Sequence, residues 1–336
     1  MSAYPEAGKI QEIVGAANKI VILQADNPDA DSLGSALALE QILHKLGKEP
    51  LLYCAIDMPS YLKYLTGWDR VSNELPAQFD ASIIVDASTT TLFEKLAQSG
   101  HQGWLASKPC IVLDHHGSVT NEIPFASASI NDKNCSSTGE LIYKLARDLD
   151  WPLAIQTQEF LMTAILGDTQ GLSNSLASAD TYRVLAEMIE AGVNRPKLEE
   201  ARRESSKMPQ TIFKYKAELI RRTEFYSDGK LAVVSVPQAE INEFSSLYNP
   251  KILIQFEMLQ TVDVAAGIVF KLYGDGRITA AIRCNPTFPI GDKVAEHFGG
   301  GGHPYAAGFK ITDSRRFEEI KTETIRIATE LLGTLE

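Results

Sequence analysis

The apolar run "IVIL" (residues 20–23) passes directly into "ADNPDADSLGS" (residues 25–35), where three aspartates crowd around a proline before a helical pattern begins. The construction recurs: "SIIVDAS" closes on Asp86, "CIVLDHH" on Asp114, His115 and His116, and "AILGDTQG" on Asp168. Strand-length runs at 20–24, 50–54, 82–86 and 110–113 alternate with helical stretches at 32–46, 89–98, 137–148, 153–165 and 179–191. That alternation predicts an α/β fold, a parallel sheet with helices on both faces. Residues 195–222 read as helices. Beyond them "KLAVVSV", "DVAAGIVFKL", "ITAAIRC" and "AAGFKI" read as strands and 317–332 as a final helix, giving a smaller C-terminal α/β domain. The expected division is 1–194, a helical linker at 195–222, and 223–336.

In open α/β sheets, ligands bind at the carboxyl ends of the strands, where these polar groups fall, the fourth of them after an apolar helix or strand. Each group has an ordinary explanation on its own. An aspartate after a strand caps a helix, and Asp31 or Ser32 would do so for 32–46. Asp168 with Thr169 reads as a turn, and Ser137 precedes Glu140 by three residues, as in a capping box. Taken together they put several carboxylates and two imidazoles on one sheet edge. Close carboxylates must share protons or bind cations. A mixed oxygen and imidazole set suits Mn²⁺ or a similar divalent ion, and four scattered cysteines (54, 110, 135, 284) offer no structural zinc motif.

Charge narrows the partners. The chain carries −11 overall: −12 over 1–194, +5 over 195–222 and −4 over 223–336. An acidic chain is a poor binder of long duplex nucleic acid, whereas a local basic segment can draw in a short anion. No apolar run reaches the roughly 18 residues a membrane span needs, and the start "MSAYPEAGKIQEIV" has no signal-peptide layout. The expectation is a cytoplasmic protein with reduced thiols and no membrane partner, with a homodimer left open.

The four acidic stretches, in order and at fitting spacing, resemble the motifs of the DHH phosphoesterase superfamily. "FGGGGHPYAAGF" (residues 298–309) is similar to the glycine-rich signature of its associated DHHA1 substrate domain. The resemblance implies that Asp31, Asp86, His115 and Asp168 hold one divalent metal, that Asp29 and Asp86 serve a second, that Asp114 orients an imidazole, and that His116 contacts the scissile phosphate or protonates the leaving oxygen. It implies substrate binding by Arg283, Gly300, Gly301, Gly302 and His303. One departure stands out. Two-metal relatives have histidine where this chain has Ala25, so the second site lacks a ligand unless Gln24, Asp26 or Asn27 replaces it. "DTQGLSN" also lacks an aromatic that relatives often carry.

By resemblance, the expected activity is that of the nanoRNase and pAp-phosphatase group. These are Mn²⁺-dependent hydrolases of short RNA or DNA oligonucleotides, pApA-type dinucleotides or pAp. The rival readings are a RecJ-like single-strand exonuclease, which usually carries a further domain, and a degenerate protein that binds nucleotides without cleaving them. Two more distant ones, a membrane-type cyclic-dinucleotide phosphodiesterase and a family II pyrophosphatase, lack their expected segments here.

Overall fold

The computed structural model describes residues 4–117, 122–205, 207–245 and 249–335, without the side chains of Ile252 and His303. The chain divides into two compact units, Met1–Lys207 and Met208–Glu336. The division falls inside the basic 195–222 stretch.

The first unit is built on a five-stranded, all-parallel sheet: β1 (Lys19–Leu23), β2 (Glu49–Tyr53), β3 (Ala81–Val85), β4 (Cys110–Asp114) and β5 (Ala128–Asn131), in the order β2-β1-β3-β4-β5. β3 and β4 are buried at every position, the mark of a sheet covered on both faces. The helices are α1 (Ala7–Ala16), α2 (Ala30–Lys45), α3 (Glu94–Gln98), α4 (Gln102–Ala106), α5 (Thr138–Asp148), α6 (Ile155–Asp168), α7 (Ala179–Glu190) and α8 (Arg195–Ser205). One apolar cluster joins alternate strand residues such as Ile20, Ile22, Ile83 and Ile111 to α1, α2, α5 and α6. The opposite strand faces, with Val21, Leu23, Ile84 and Val112, pack with Leu96 of α3 and Leu105 of α4. The expected helix at 89–98 is split here into a 3₁₀ turn at Thr90–Leu92 and the short α3. β5, four residues long, was not anticipated.

Two glycines let the site-bearing helices meet. A Cβ on Gly139 of α5 would lie 2.5 Å from the Ala164 Cβ of α6, and one on Gly167 of α6 would lie 2.8 Å from the Ala30 Cβ of α2. Real Cβ atoms do not approach so closely, so the absence of side chains here sets the spacing of α2, α5 and α6.

The second unit has a six-stranded mixed sheet in the order β10-β11-β9-β8-β7-β6, from β6 (Glu224–Tyr226), β7 (Leu231–Val236), β8 (Ala266–Leu272), β9 (Ile278–Cys284), β10 (Gly301–His303) and β11 (Ala306–Ile311). Only β7 and β8 run parallel. α9 (Gln210–Arg221), α10 (Gln238–Phe244) and α11 (Pro250–Gln260) cluster with one face through Val234 and Val269. α12 (Gly291–His297) and α13 (Phe317–Gly333) cover the other through Ile268, Phe270 and Ile282. No helix among the described residues is long and apolar enough to cross a membrane.

Candidate metal centre

Asp31, fully buried in the first turn of α2, is held at the amino end of α5: Thr138 N donates to its Oδ2 (2.7 Å) and Gly139 N to its Oδ1 (2.9 Å). Ser35 Oγ adds a third bond at 3.1 Å. Free N–H groups at a helix start suit an anion. Asp86 follows β3 with a left-handed φ of 58°, fixed by its N–H to Leu113 O at 2.9 Å, and its Oδ1 accepts Thr138 Oγ1 at 3.2 Å. An aspartate tolerates that conformation, and such outliers gather at functional sites. Asp168 ends α6, so the fourth acidic stretch comes from a helix rather than a strand.

His115 joins these three. Its Nε2 lies 2.9 Å from Asp168 Oδ2 and 3.7 Å from both Asp31 Oδ2 and Asp86 Oδ1. The short contact to Asp168 lacks hydrogen-bond geometry, leaving Nε2 a buried nitrogen without a bonded partner. Two ligand groupings result, Asp31–His115–Asp168 and Asp86–His115–His116, each with its ligand atoms within 4.8 Å of one another. The electrostatics of the cluster favour added positive charge. Burial, then the Asp168 charge, pushes the Asp31 carboxyl up to about 6. Asp86 is driven well above the usual carboxylate range by burial and then by Asp31, Asp29 and Asp168. Burial opposes charge on His115, but Asp168 and Asp31 outweigh it and raise the imidazole to about 9. Protons thus do the work of a cation. A divalent ion fits the donor set, and would replace those protons.

His116 faces outward, its side chain 53% exposed. Its Nδ1 is 2.7 Å from Asp114 Oδ1, a bond that, ahead of the opposing burial, raises its pKa. Asp114 is itself buried and accepts Ser88 Oγ at 2.5 Å and His115 N at 2.8 Å. Despite burial, these bonds keep it below the usual range. Asn131 Nδ2 donates to Ser88 Oγ at 3.0 Å and its Oδ1 accepts Gly117 N at 2.7 Å, tying β5 to the loop after His116.

Asp29 belongs to neither grouping. It is the N-cap of α2, with Oδ1 accepting Asp31 N and Ser32 N at 3.0 Å, so the cap lies at Asp29 rather than at Asp31 or Ser32. Ala25 is buried in the apolar cluster containing Leu23 and Ile84. Of its possible substitutes, Asp26 accepts Lys95 N through Oδ2 (2.8 Å), Asn27 is exposed, and Gln24 is fully buried with neither amide atom hydrogen-bonded. Ser137 caps α5 as expected, but Glu140 answers to Ser136 N and Oγ (3.1 and 2.6 Å) rather than to Ser137. The bonds of Ser35, Ser88 and Thr138 to these carboxylates, and of Asn131 to Ser88, were not foreseen from the sequence.

In the second unit Arg283 lies on β9, donates to Ile282 O at 3.0 Å and meets no carboxylate among the described residues. It is in register with Ala306, which pairs with His303, whose side chain lies outside the described atoms. Gly302 (φ 138°) and Gly300 press against β11, where a Cβ would strike the Ala306 and Gly308 carbonyls respectively. Gly301 is open.

Residues 19–167 match the DHH family, N-terminal domain. The first unit carries a DHH family domain. Over 313 residues the chain is 24% identical to the probable bifunctional oligoribonuclease and PAP phosphatase NrnA of Streptococcus mutans, covering 92% of this chain and 95% of that protein. An exopolyphosphatase-related protein from Bacteroides fragilis shares the fold at a TM-score of 0.79 and 19% identity, over 98% of this chain and 97% of the other. RecJ from Thermus thermophilus, in complex with Mn²⁺, aligns at a TM-score of 0.54 and 15% identity, over 96% of this chain but 54% of its own.

Proposed function

We propose that this DHH protein is a divalent-metal-dependent phosphoesterase that hydrolyses short oligonucleotides, dinucleotides of the pApA type or pAp. The observation that carries the reading is the meeting of Asp31, Asp86, Asp168 and His115 Nε2 in one buried cluster short of positive charge. The oligoribonuclease and PAP phosphatase name of the Streptococcus mutans relative, matched nearly end to end, supports the substrate class. Asp31, Asp86, His115 and Asp168 would hold the cation, and Asp29 would serve a second beside Asp86. We take the ion to be Mn²⁺, which suits mixed carboxylate and imidazole ligands. A divalent ion supplies Lewis acidity toward a phosphoryl oxygen and lowers the pKa of water.

The protein's own groups do the rest. Asp114 holds the His116 ring through Nδ1, leaving Nε2 toward solvent. The bond to Asp114 raises the pKa of His116 and so favours its protonated form, the form that can hand a proton to the leaving oxygen. Residues 223–336, with Arg283, Gly300 and the strand of Gly301, Gly302 and His303, would bind substrate, while 195–222 joins them to the metal-binding residues 1–194. Four buried free thiols favour a reducing, cytoplasmic setting.

Titrating Mn²⁺ against pAp, pApA and a longer 5′-labelled single strand tests the reading. Turnover of the short substrates is expected, and Asp86→Ala should lower kcat by at least about 10³-fold. Cutting of long strands only would instead mark an exonuclease, and binding without turnover a sensor.

A further inference from the structure

The second unit holds lysines that the metal-centre reading does not use. Lys271 lies on β8 and Lys251 in the first turn of α11, and with Asn249, Tyr273 and Thr279 they line a pocket of about 220 Å³. Lys271 Nζ donates to Asn249 Oδ1 at 3.1 Å, a neutral partner. No carboxylate among the described residues pairs with Lys251 or Lys271. The nearby Asp275 lies 3.8 Å from Arg277, whose guanidinium stacks on Tyr273. Both ammonium groups are half-buried, and their pKa values are lowered by desolvation first, then by a neighbouring cation: Arg283 for Lys251, and Lys251 for Lys271. Register extends the pattern, because Lys271 pairs with Thr279 and Thr279 with Lys310. Between this row and that of Arg283 lie Val269, Ala281 and Gly308.

Cations held together, partly out of water and without acids, raise the free energy of the empty protein, and an anion removes that cost. Two such charges match a phosphomonoester, which carries about −1.5 to −2, better than the single charge of an internal diester. The pocket is also smaller than the roughly 300–1,000 Å³ of common ligand sites, so it suits a phosphate group rather than a nucleoside. We propose that Lys251 and Lys271, with Asn249 and Thr279, form a recognition pocket for a terminal phosphomonoester of the substrate, separate from the phosphate that is cleaved. The proposal rests on the phosphoesterase reading for its substrate, but not for its binding chemistry.

The test compares pApA, ApAp and ApA on the full chain with Mn²⁺, and their binding to the full chain in EDTA by calorimetry. One of the two phosphorylated dinucleotides should exceed ApA in kcat/KM by about tenfold or more, and which one does so names the recognised end. Lys251→Ala and Lys271→Ala should each cut that preference about tenfold through KM, while Lys251→Arg retains most of it. An unchanged preference in both alanine variants, or none in the wild type, overturns the pocket. If the wild type hydrolyses none of the three, nor pAp, the phosphoesterase reading fails. The pocket is then judged by calorimetry alone: phosphate-dependent affinity lost in the lysine variants sustains it, and equal affinity for pApA, ApAp and ApA refutes it.

Discussion

At the scale of single residues, the centre turns on Ala25 and on what surrounds it. The backbone at Ala25 is fixed, since its carbonyl accepts the Cys54 thiol at 3.3 Å, and its methyl group sits among apolar neighbours. Of the neighbouring side chains, Gln24 is fully buried with both amide atoms unused, while Asp26 is held through Oδ2 to the amide of Lys95 but keeps a buried, unpartnered Oδ1. An amide oxygen is a weaker ligand than an imidazole or carboxylate for an ion of this class. Ala25→His should therefore add metal-binding capacity. Isothermal titration with Mn²⁺ is expected to show a higher stoichiometry or a second site tightened by about tenfold. A titration superimposable on the wild type would mean that the second ion is already fully ligated. The same scale explains why some residues were legible and others not. Asp86, His115 and Asp168 could be found because each closes a recognisable run. Thr138 was legible only as part of "CSSTGE", which resembles a family stretch opening a helix near the site; its bonds to Asp31 and Asp86, across 107 and 52 residues of chain, were not. Lys251 and Lys271 carry no pattern either, being single lysines on a helix and a strand.

At the scale of elements, the start of α5 does the most. Its N–H groups hold Asp31, its Thr138 hydroxyl reaches Asp86, and Gly139 admits α6. Glu140, wholly buried one residue on, fixes that turn: it accepts Ser136 N and Oγ and Thr181 Oγ1 (2.8 Å), and its Oε1 is 2.6 Å from Lys144. Burial alone would raise its pKa, yet Lys144 and Ser136 outweigh burial and hold it below 4.5. A carboxyl with a depressed folded pKa contributes stability that is present above the unfolded value and lost as pH falls through the folded one. Glu140→Gln, which leaves Lys144 without its anion, should cost about 2 kcal/mol at pH 7. The difference from wild type should narrow as pH falls below the ordinary glutamate value of 4.5 and through the lower folded one, as followed by urea unfolding across pH. A constant difference at every pH would mean that packing, not charge, fixes the turn. The longer strands and the helices α2, α5, α6, α7 and α13 were readable from the sequence, whereas α1, α10, α11 and α12 were not placed. β5, β6 and β10, of four, three and three residues, were not, because so short a strand is defined by its neighbour rather than by its own composition.

At the scale of the whole molecule, each unit has its own apolar cores, and the proposed metal ligands all belong to the first. A ligand that binds only folded protein stabilises the part that holds it, so Mn²⁺ should raise the melting transition of the first unit and leave that of the second in place. The size of the rise should depend on pH with a definite sign. In metal-free protein the Asp31 carboxyl is raised to about 6 from about 3.8, so folding favours its protonated form, and stability falls as pH climbs between those values. His115, raised to about 9 from about 6.5, contributes stability that is complete below pH 6.5 and lost as pH rises through 9. Both effects weaken the metal-free unit as the solution becomes more basic, and a divalent cation offsets both, since it neutralises the carboxylates and needs the imidazole unprotonated. Scanning calorimetry with EDTA or with Mn²⁺ should therefore show a first transition whose metal-induced shift grows from pH 5.5 to pH 8.5, by roughly 5 °C or more. A shift of equal size at both pH values would place the ion away from Asp31 and His115, and a shift confined to the second transition would place it outside the first unit altogether.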